Sequence, residues 1–186
     1  MEIYDGNQWT GILSTAPFLL TGGTRGLVAA GYIPSPTFTQ FNTIDYFNAS
    51  STGDAIDFGD LSHGVKFDLS GQTSSRTRGI FGGGYQSGQP RANTIDFVTI
   101  ASTGDAQDFG DLTRSSNAHS ACSNQTRAMY AGGYWPSNNK TNIIDYVTIA
   151  QTGNGVDFGD LIQQTRNTGS CASPTRAVWA GGTVDA

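Results

Sequence analysis

The 186-residue chain has 13% charged residues, 25 glycines, a formal net charge of −5 and a pI near 4.7. At this length one domain with a sizeable core is expected. The acidic balance argues against a phosphate-backbone binder, because no basic patch exists to displace counterions. The regular patterning argues against disorder. No Lys- or Arg-led apolar start marks a signal peptide and no apolar run approaches a membrane span, so a soluble chain made in the cytoplasm is expected.

In chain order, residues 1–16 read as an N-terminal β hairpin and residues 17–186 as a repeat domain. Glu2–Leu13 (EIYDGNQWTGIL) predicts two strands about an Asp5-Gly6 turn, the second carrying Trp9. Phe18–Gly23 (FLLTGG) predicts an inner strand. Anchored on a Thr-Arg pair, the copies of a repeat begin at Thr24, Thr77, Thr126 and Thr175, spaced 53, 49 and 49 residues apart. A fixed period of this kind is the signature of a repeat architecture.

Each unit opens on a strand that ends in small residues, most often a Gly pair, as in TRAMYAGGY. Glycine there ends the strand or admits a neighbouring backbone. A variable loop leads to a strand such as IDYVTIA, which alternates Ile144, Tyr146 and Thr148 against Asp145, Val147 and Ile149. A TGD or TGN turn follows, then the short outer strand DFGDL with one large aromatic. The small residues before the next Thr-Arg, such as HSACSNQ, suit a crowded innermost strand. Four strands in a unit of roughly 50 residues is the period of a propeller blade.

At these residues the chain resembles the kelch repeat. The Gly pair, the Tyr46, Phe97 and Tyr146 positions, and the Asp-Leu that follows the spaced aromatic match its order. Phe58, Phe109 and Phe158 stand where kelch repeats usually have tryptophan. The form STGDAxDFGDL with TRxxFxGGY resembles repeats of tail and virion proteins of marine and cyanobacterial bacteriophages. The resemblance covers Thr24 to Gly182 and implies an all-β, kelch-like propeller with three full four-stranded repeats. Propellers use four to eight blades. A fourth would combine Ser170–Gly182, supplying the inner two strands, with the N-terminal hairpin, supplying the outer two. The alternatives are a hairpin that docks on a partner and an oligomeric ring that shares blades.

Cys122 and Cys171 each lie four residues before a Thr-Arg, on neighbouring inner strands. That places them out of disulfide reach, as two small buried thiols. Asp57, Asp108 and Asp157 recur with the same period as Arg25, Arg78, Arg127 and Arg176. The acids could ligate Ca²⁺, but turn caps and a scaffold ion pair in every blade are the favoured reading, with no metal and no cofactor expected. His63 and His119 lie in non-equivalent settings near no nucleophile pattern, so no enzyme is expected.

Recognition is expected where the repeat breaks, in loops on a rigid frame. The loops Ile33–Phe41, Gln86–Ala92 and Trp135–Thr141 differ completely and should share one rim. Phe38 and Trp135 could stack on a sugar or a protein, with Gln89, Arg91, Asn138 and Asn139 adding polar contacts; the alternative is ordinary exposed loops whose aromatics cover the blade ends. The Ser62–Arg76 insert is a second departure, expected as a longer turn or a contact surface. The resemblance then implies a virion protein, tail- or fibre-associated, binding a host-surface glycan or other virion proteins. A purely structural virion component and a cellular interaction module are the alternatives. No nucleic-acid or membrane partner is expected, and homo-oligomers are compatible with the repeat.

Overall fold

The computed structural model describes residues 2–4, 9–11, 24–34, 36–63, 66–67, 71–86, 91–135 and 139–184. Among these all regular structure is β, and no helix is long and apolar enough to cross a membrane. β1 (Glu2–Tyr4) and β2 (Trp9–Gly11) pair antiparallel with each other. β3 (Arg25–Ile33), β4 (Thr39–Asn48) and β5 (Ile56–Asp60) form the body of a first sheet. β6 (Lys66–Phe67) pairs with the start of β4. The second sheet runs β7 (Gly71–Ser74), β8 (Arg78–Gly82) and, after the short β9 (Tyr85–Gln86), β10 (Thr94–Thr99) and β11 (Gln107–Asp111). The third repeats that order with β12 (Ser120–Ser123), β13 (Arg127–Ala131), β14 (Thr141–Thr148) and β15 (Val156–Thr165). β16 (Gly169–Ala172) and β17 (Ala177–Ala180) make a fourth sheet of two strands.

The expected inner strand Phe18–Gly23 lies outside the described residues. The Ser62–Arg76 insert is not a plain turn. Its β6 bridges β4 and β9 through Phe41–Lys66 and Lys66–Gln86 pairings, tying the first unit's loop to the second's.

Period-two alternation decides the packing, because successive side chains of a strand face opposite sides of the sheet. Ile80, Ile95, Phe97, Phe109 and Leu112 of the second sheet meet Ala128, Tyr130, Val147 and Ile149 of the third. On its other face Phe81, Val98 and Ala106 meet Ala29, Ile44, Phe58 and Leu61 of the first. Each fully buried aromatic or branched side chain contributes about 1.5–3 kcal/mol by leaving water.

Hydrogen bonds fix how adjacent sheets register. The turn before β11 donates from Gly104 N to Phe58 O and from Ala106 N to Asp60 O, both at 2.7 Å. The turn before β15 does the same from Gly153 N to Phe109 O and from Gly155 N to Asp111 O, again at 2.7 Å. The carboxamide or carboxylate in the turn answers in return: Asp60 N donates to Asp105 Oδ1 at 3.1 Å and Asp111 N to Asn154 Oδ1 at 3.0 Å. The glycine of DFGDL is needed for this approach. A Cβ on Gly110 (φ +138°) would lie 2.6 Å from the Gly153 carbonyl carbon, and one on Gly59 (φ +145°) would lie 2.5 Å from that of Gly104.

The recurring arginines do not form the expected ion pairs with Asp57, Asp108 or Asp157. Arg25, Arg78 and Arg127 lie over the rings of Tyr46, Phe97 and Tyr146 at 4.8, 4.6 and 4.7 Å. Those rings meet Phe58, Phe109 and Phe158 edge-on at 5.9, 5.8 and 6.1 Å. Arg25 and Arg78 then donate from Nη1 to the carbonyls of Ile100 and Ile149 in the next sheet, each at 2.8 Å. A guanidinium can lie flat over a ring and still donate from its edge in a fixed geometry. The acids serve their own strand: Asp108 and Asp157 accept from the backbone N–H of Gly110 and Gly159 at 3.1 and 3.0 Å.

The inner strands are cross-tied by hydroxyls, with Ser123 Oγ donating to Ser74 O at 2.6 Å and Ser170 Oγ to Ala121 O at 2.8 Å. Both thiols are free. Cys122 is buried as expected, and burial together with the neighbouring Cys171 pushes its pKa up to about 11. Cys171 is exposed rather than buried, since no complete sheet covers the fourth unit.

Candidate functional site

The loops after the Gly pairs gather an aromatic and arginine cluster between the second, third and fourth units. Gly132 and Gly133 take positive φ (69° and 97°), and backbone bonds from Gly133 N to Thr165 O (2.8 Å) and from Thr141 N to Gly133 O (3.0 Å) pin the turn. Tyr134 bridges to Asn117, donating to its carbonyl at 2.8 Å. Trp135 N donates to Asn139 O at 2.8 Å, closing the loop that presents the indole.

Around these rings stand three arginines from three segments. Arg91 and Arg166 lie 5.5 and 4.5 Å from the Tyr134 ring, and Arg114 lies 5.0 Å from Trp135. Arg91 is held by a 2.7 Å bond from Nε to Asn117 Oδ1, and Arg114 by a 3.2 Å bond from Nη1 to Thr141 Oγ1. Trp135 remains 45% exposed. Phe38 is exposed at the end of its own hairpin and stacks on Tyr32 at 5.2 Å.

Of the expected rim residues, Arg91, Trp135 and Asn139 therefore come together. Phe38 belongs to the separate Tyr32 pair. Asn139 contributes its carbonyl to the loop. Gln89 and Asn138 lie outside the described residues. Reading the sequence missed Tyr134, Arg114 and Arg166. Tyr134 was treated as part of the repeat, and the two arginines lie outside the variable loops. Their signal was available: Arg114 and Arg166 break the run of small residues before an inner strand, where a charge has no packing reason to be.

The cluster offers a half-exposed indole face and fork-like donors that stacking already orients. Such a cluster can stack on a flat polar group and donate hydrogen bonds to it.

Among the described residues, Ser62, His63 and Asp96 form an arrangement with a catalytic look. Ser62 Oγ is 2.7 Å from His63 Nδ1, His63 Nδ1 is 2.8 Å from Asp96 Oδ1, and Ser62 Oγ also donates to that oxygen. A proton relay needs one ring nitrogen for the acid and the other for the nucleophile. Here Nδ1 faces both. The equivalent place in the next unit holds Thr113, whose Oγ1 donates to the buried Asp145 at 2.8 Å and whose N–H does so at 3.1 Å. Burial pushes the Asp145 carboxyl up, and the Thr113 bonds oppose that shift. Both clusters lock one sheet to the next by satisfying a buried carboxylate. Among the described residues no group of three or more His, Cys, Asp or Glu gathers to hold a metal.

No protein-family model and no curated protein matches the chain.

Proposed function

We propose that this chain is a kelch-like propeller module of a bacteriophage virion, tail- or fibre-associated, that binds a host-surface glycan or a partner protein through its loop rim without catalysis. The observation that carries the binding role is Trp135, half-exposed on a backbone-pinned loop with Arg114 over its ring. A rigid, pre-oriented aromatic loses little entropy on binding and stacks well on a sugar face. Shallow contacts of this kind are weak singly, and avidity from many copies on one particle makes them effective. The virion assignment rests on the repeat resemblance alone.

A glycan array probed with the 186-residue chain tests the reading. Binding to a defined class of glycans that falls at least tenfold in Trp135→Ala supports it, and binding unchanged in that variant sinks it. A second reading, a structural virion component that contacts only other virion proteins, is favoured by the uncovered apolar ends of the sheet array. Absence of glycan binding, together with tight binding to a virion protein, selects it.

A further inference from the structure

The two ends of the sheet array are the two halves of one joint, and we propose that the C-terminal half-sheet β16–β17 of one copy is completed by the β1–β2 hairpin of a second copy. The proposal does not rest on the rim-binding role.

The internal joints show what is missing. In the second and third sheets the edge of the second strand pairs with a third, whereas β17 has no such neighbour among the described residues. Phe58 and Phe109 are each 2% exposed under the following sheet, whereas the equivalent Phe158 is 54% exposed. A cavity of about 340 Å³ lies where a third and fourth strand would pack, lined by Cys122, Arg127, Met129, Phe158 and Trp179 among others. Arg127 stacks on its ring like Arg25 and Arg78 but, among the described residues, meets no carbonyl of a following third strand. Among the described residues the Phe158 and Asp160 carbonyls likewise carry no bond from a following turn, unlike those of Phe109 and Asp111.

The missing element is an antiparallel two-stranded hairpin, and the chain holds one. β1–β2 pairs only with itself among the described residues. It also sits in sequence where strands three and four of a preceding unit belong. Thirteen residues separate Gly11 from Arg25, compared with fifteen between Asp111 and Arg127, ahead of the matching strand.

The opposite end shows the matching need. Val28 and Phe47 are 55% and 42% exposed, where their counterparts Tyr130 and Val147 are buried against the preceding sheet. A hybrid sheet of β16–β17 and a second copy's β1–β2 would cover Phe158 on one face. Its other face, carrying Val178 (52% exposed), would cover the second copy's Val28 and Phe47. Closure within one chain would require β17 to lie already against β3. With both Val178 and Val28 half in water, the described sheets do not come full circle. Two copies supply eight sheets, within the range of closed rings, and the contact is head-to-tail.

The test is native mass spectrometry with gel filtration of the full chain at about 100 µM, where a modest interface is populated. The expected species is twice the 19.6 kDa chain. Deletion of residues 1–11 and, separately, Phe158→Asp should each yield monomers, with Val178→Asp as a further end-face variant should either misfold by circular dichroism. Mixing the deleted chain with Phe158→Asp should restore a heterodimer, because each retains the half the other lacks. A monomeric wild type overturns the proposal, and a lowered melting temperature on deletion then means closure within the chain. An oligomer that survives the deletion, or a mixture that stays monomeric, also overturns it.

Discussion

The joint between the second and third sheets and the open end beyond the third are built from the same words, and they differ in what those words achieve. At the joint, Phe109 is buried, Arg78 reaches Ile149 O, and Gly110 admits the following turn. At the end, Phe158, Arg127 and Gly159 repeat the residue types, but the aromatic is half in water and nothing lies within 4 Å of where a Gly159 Cβ would be. A repeat sequence thus specifies a surface, and the neighbour decides whether that surface stabilises anything. This is the nearest-neighbour logic of repeat proteins.

The largest expected contrast is in the aromatics. Phe109→Ala should destabilise by about 3–5 kcal/mol, the cost of emptying a packed site. Phe158→Ala should cost under about 1 kcal/mol in the dilute monomer, as for a largely exposed side chain. Urea titrations of both variants measure the difference, and equal losses would mean that the two ends are not physically distinct.

Acid should act on the same joint. His119 is buried, with Nε2 3.1 Å from Gly82 O, and burial lowers its pKa from 6.5 to about 4. Its neutral form is the one the fold tolerates, so the unfolded chain binds the proton first. Stability should be full above about pH 6.5 and fall by about 3 kcal/mol as the pH drops towards 4. Thr168, at the equivalent place beside the half-sheet, cannot titrate there. The slope should vanish in His119→Gln, and a pH profile unchanged by that substitution would place the acid sensitivity elsewhere.

The smallest contrast is in the arginines. Arg78→Met removes a ring contact and a charge-assisted bond to the next sheet, worth about 1.5–3 kcal/mol. Arg127→Met removes the ring contact alone, about 0.5–1 kcal/mol. Thermal melts of the two variants rank them, and a larger loss at Arg127 would show that stacking dominates the bond to the next sheet.

Much of this was legible in the spacing. Period two in IDYVTIA divided its residues between two faces, the Gly pairs marked strand ends, and HSAC marked an inner strand. What failed had a physical reason. Acids and arginines recurring together suggested ion pairs, but Asp108 and Asp157 accept from the backbone of their own strand, and only the third dimension shows the guanidinium lying over the ring. Cys171 was expected to be buried because it is equivalent to Cys122. Equivalence in sequence does not guarantee a neighbour. The Ser62–Arg76 insert read as a turn because a two-residue strand such as β6 carries no periodicity of its own. It exists because β4 and β9 offer edges to it.

The amino-acid order by itself determined the unit: strand lengths, alternation and glycine positions are local properties, set by sterics and by the period of the pleat. Which copies of the unit became core, where Tyr134 collected two arginines, and which faces remained open were decided by tertiary structure. Burial and stacking depend on what lies across a gap of a few ångströms, and three nearly identical phrases carry no record of that.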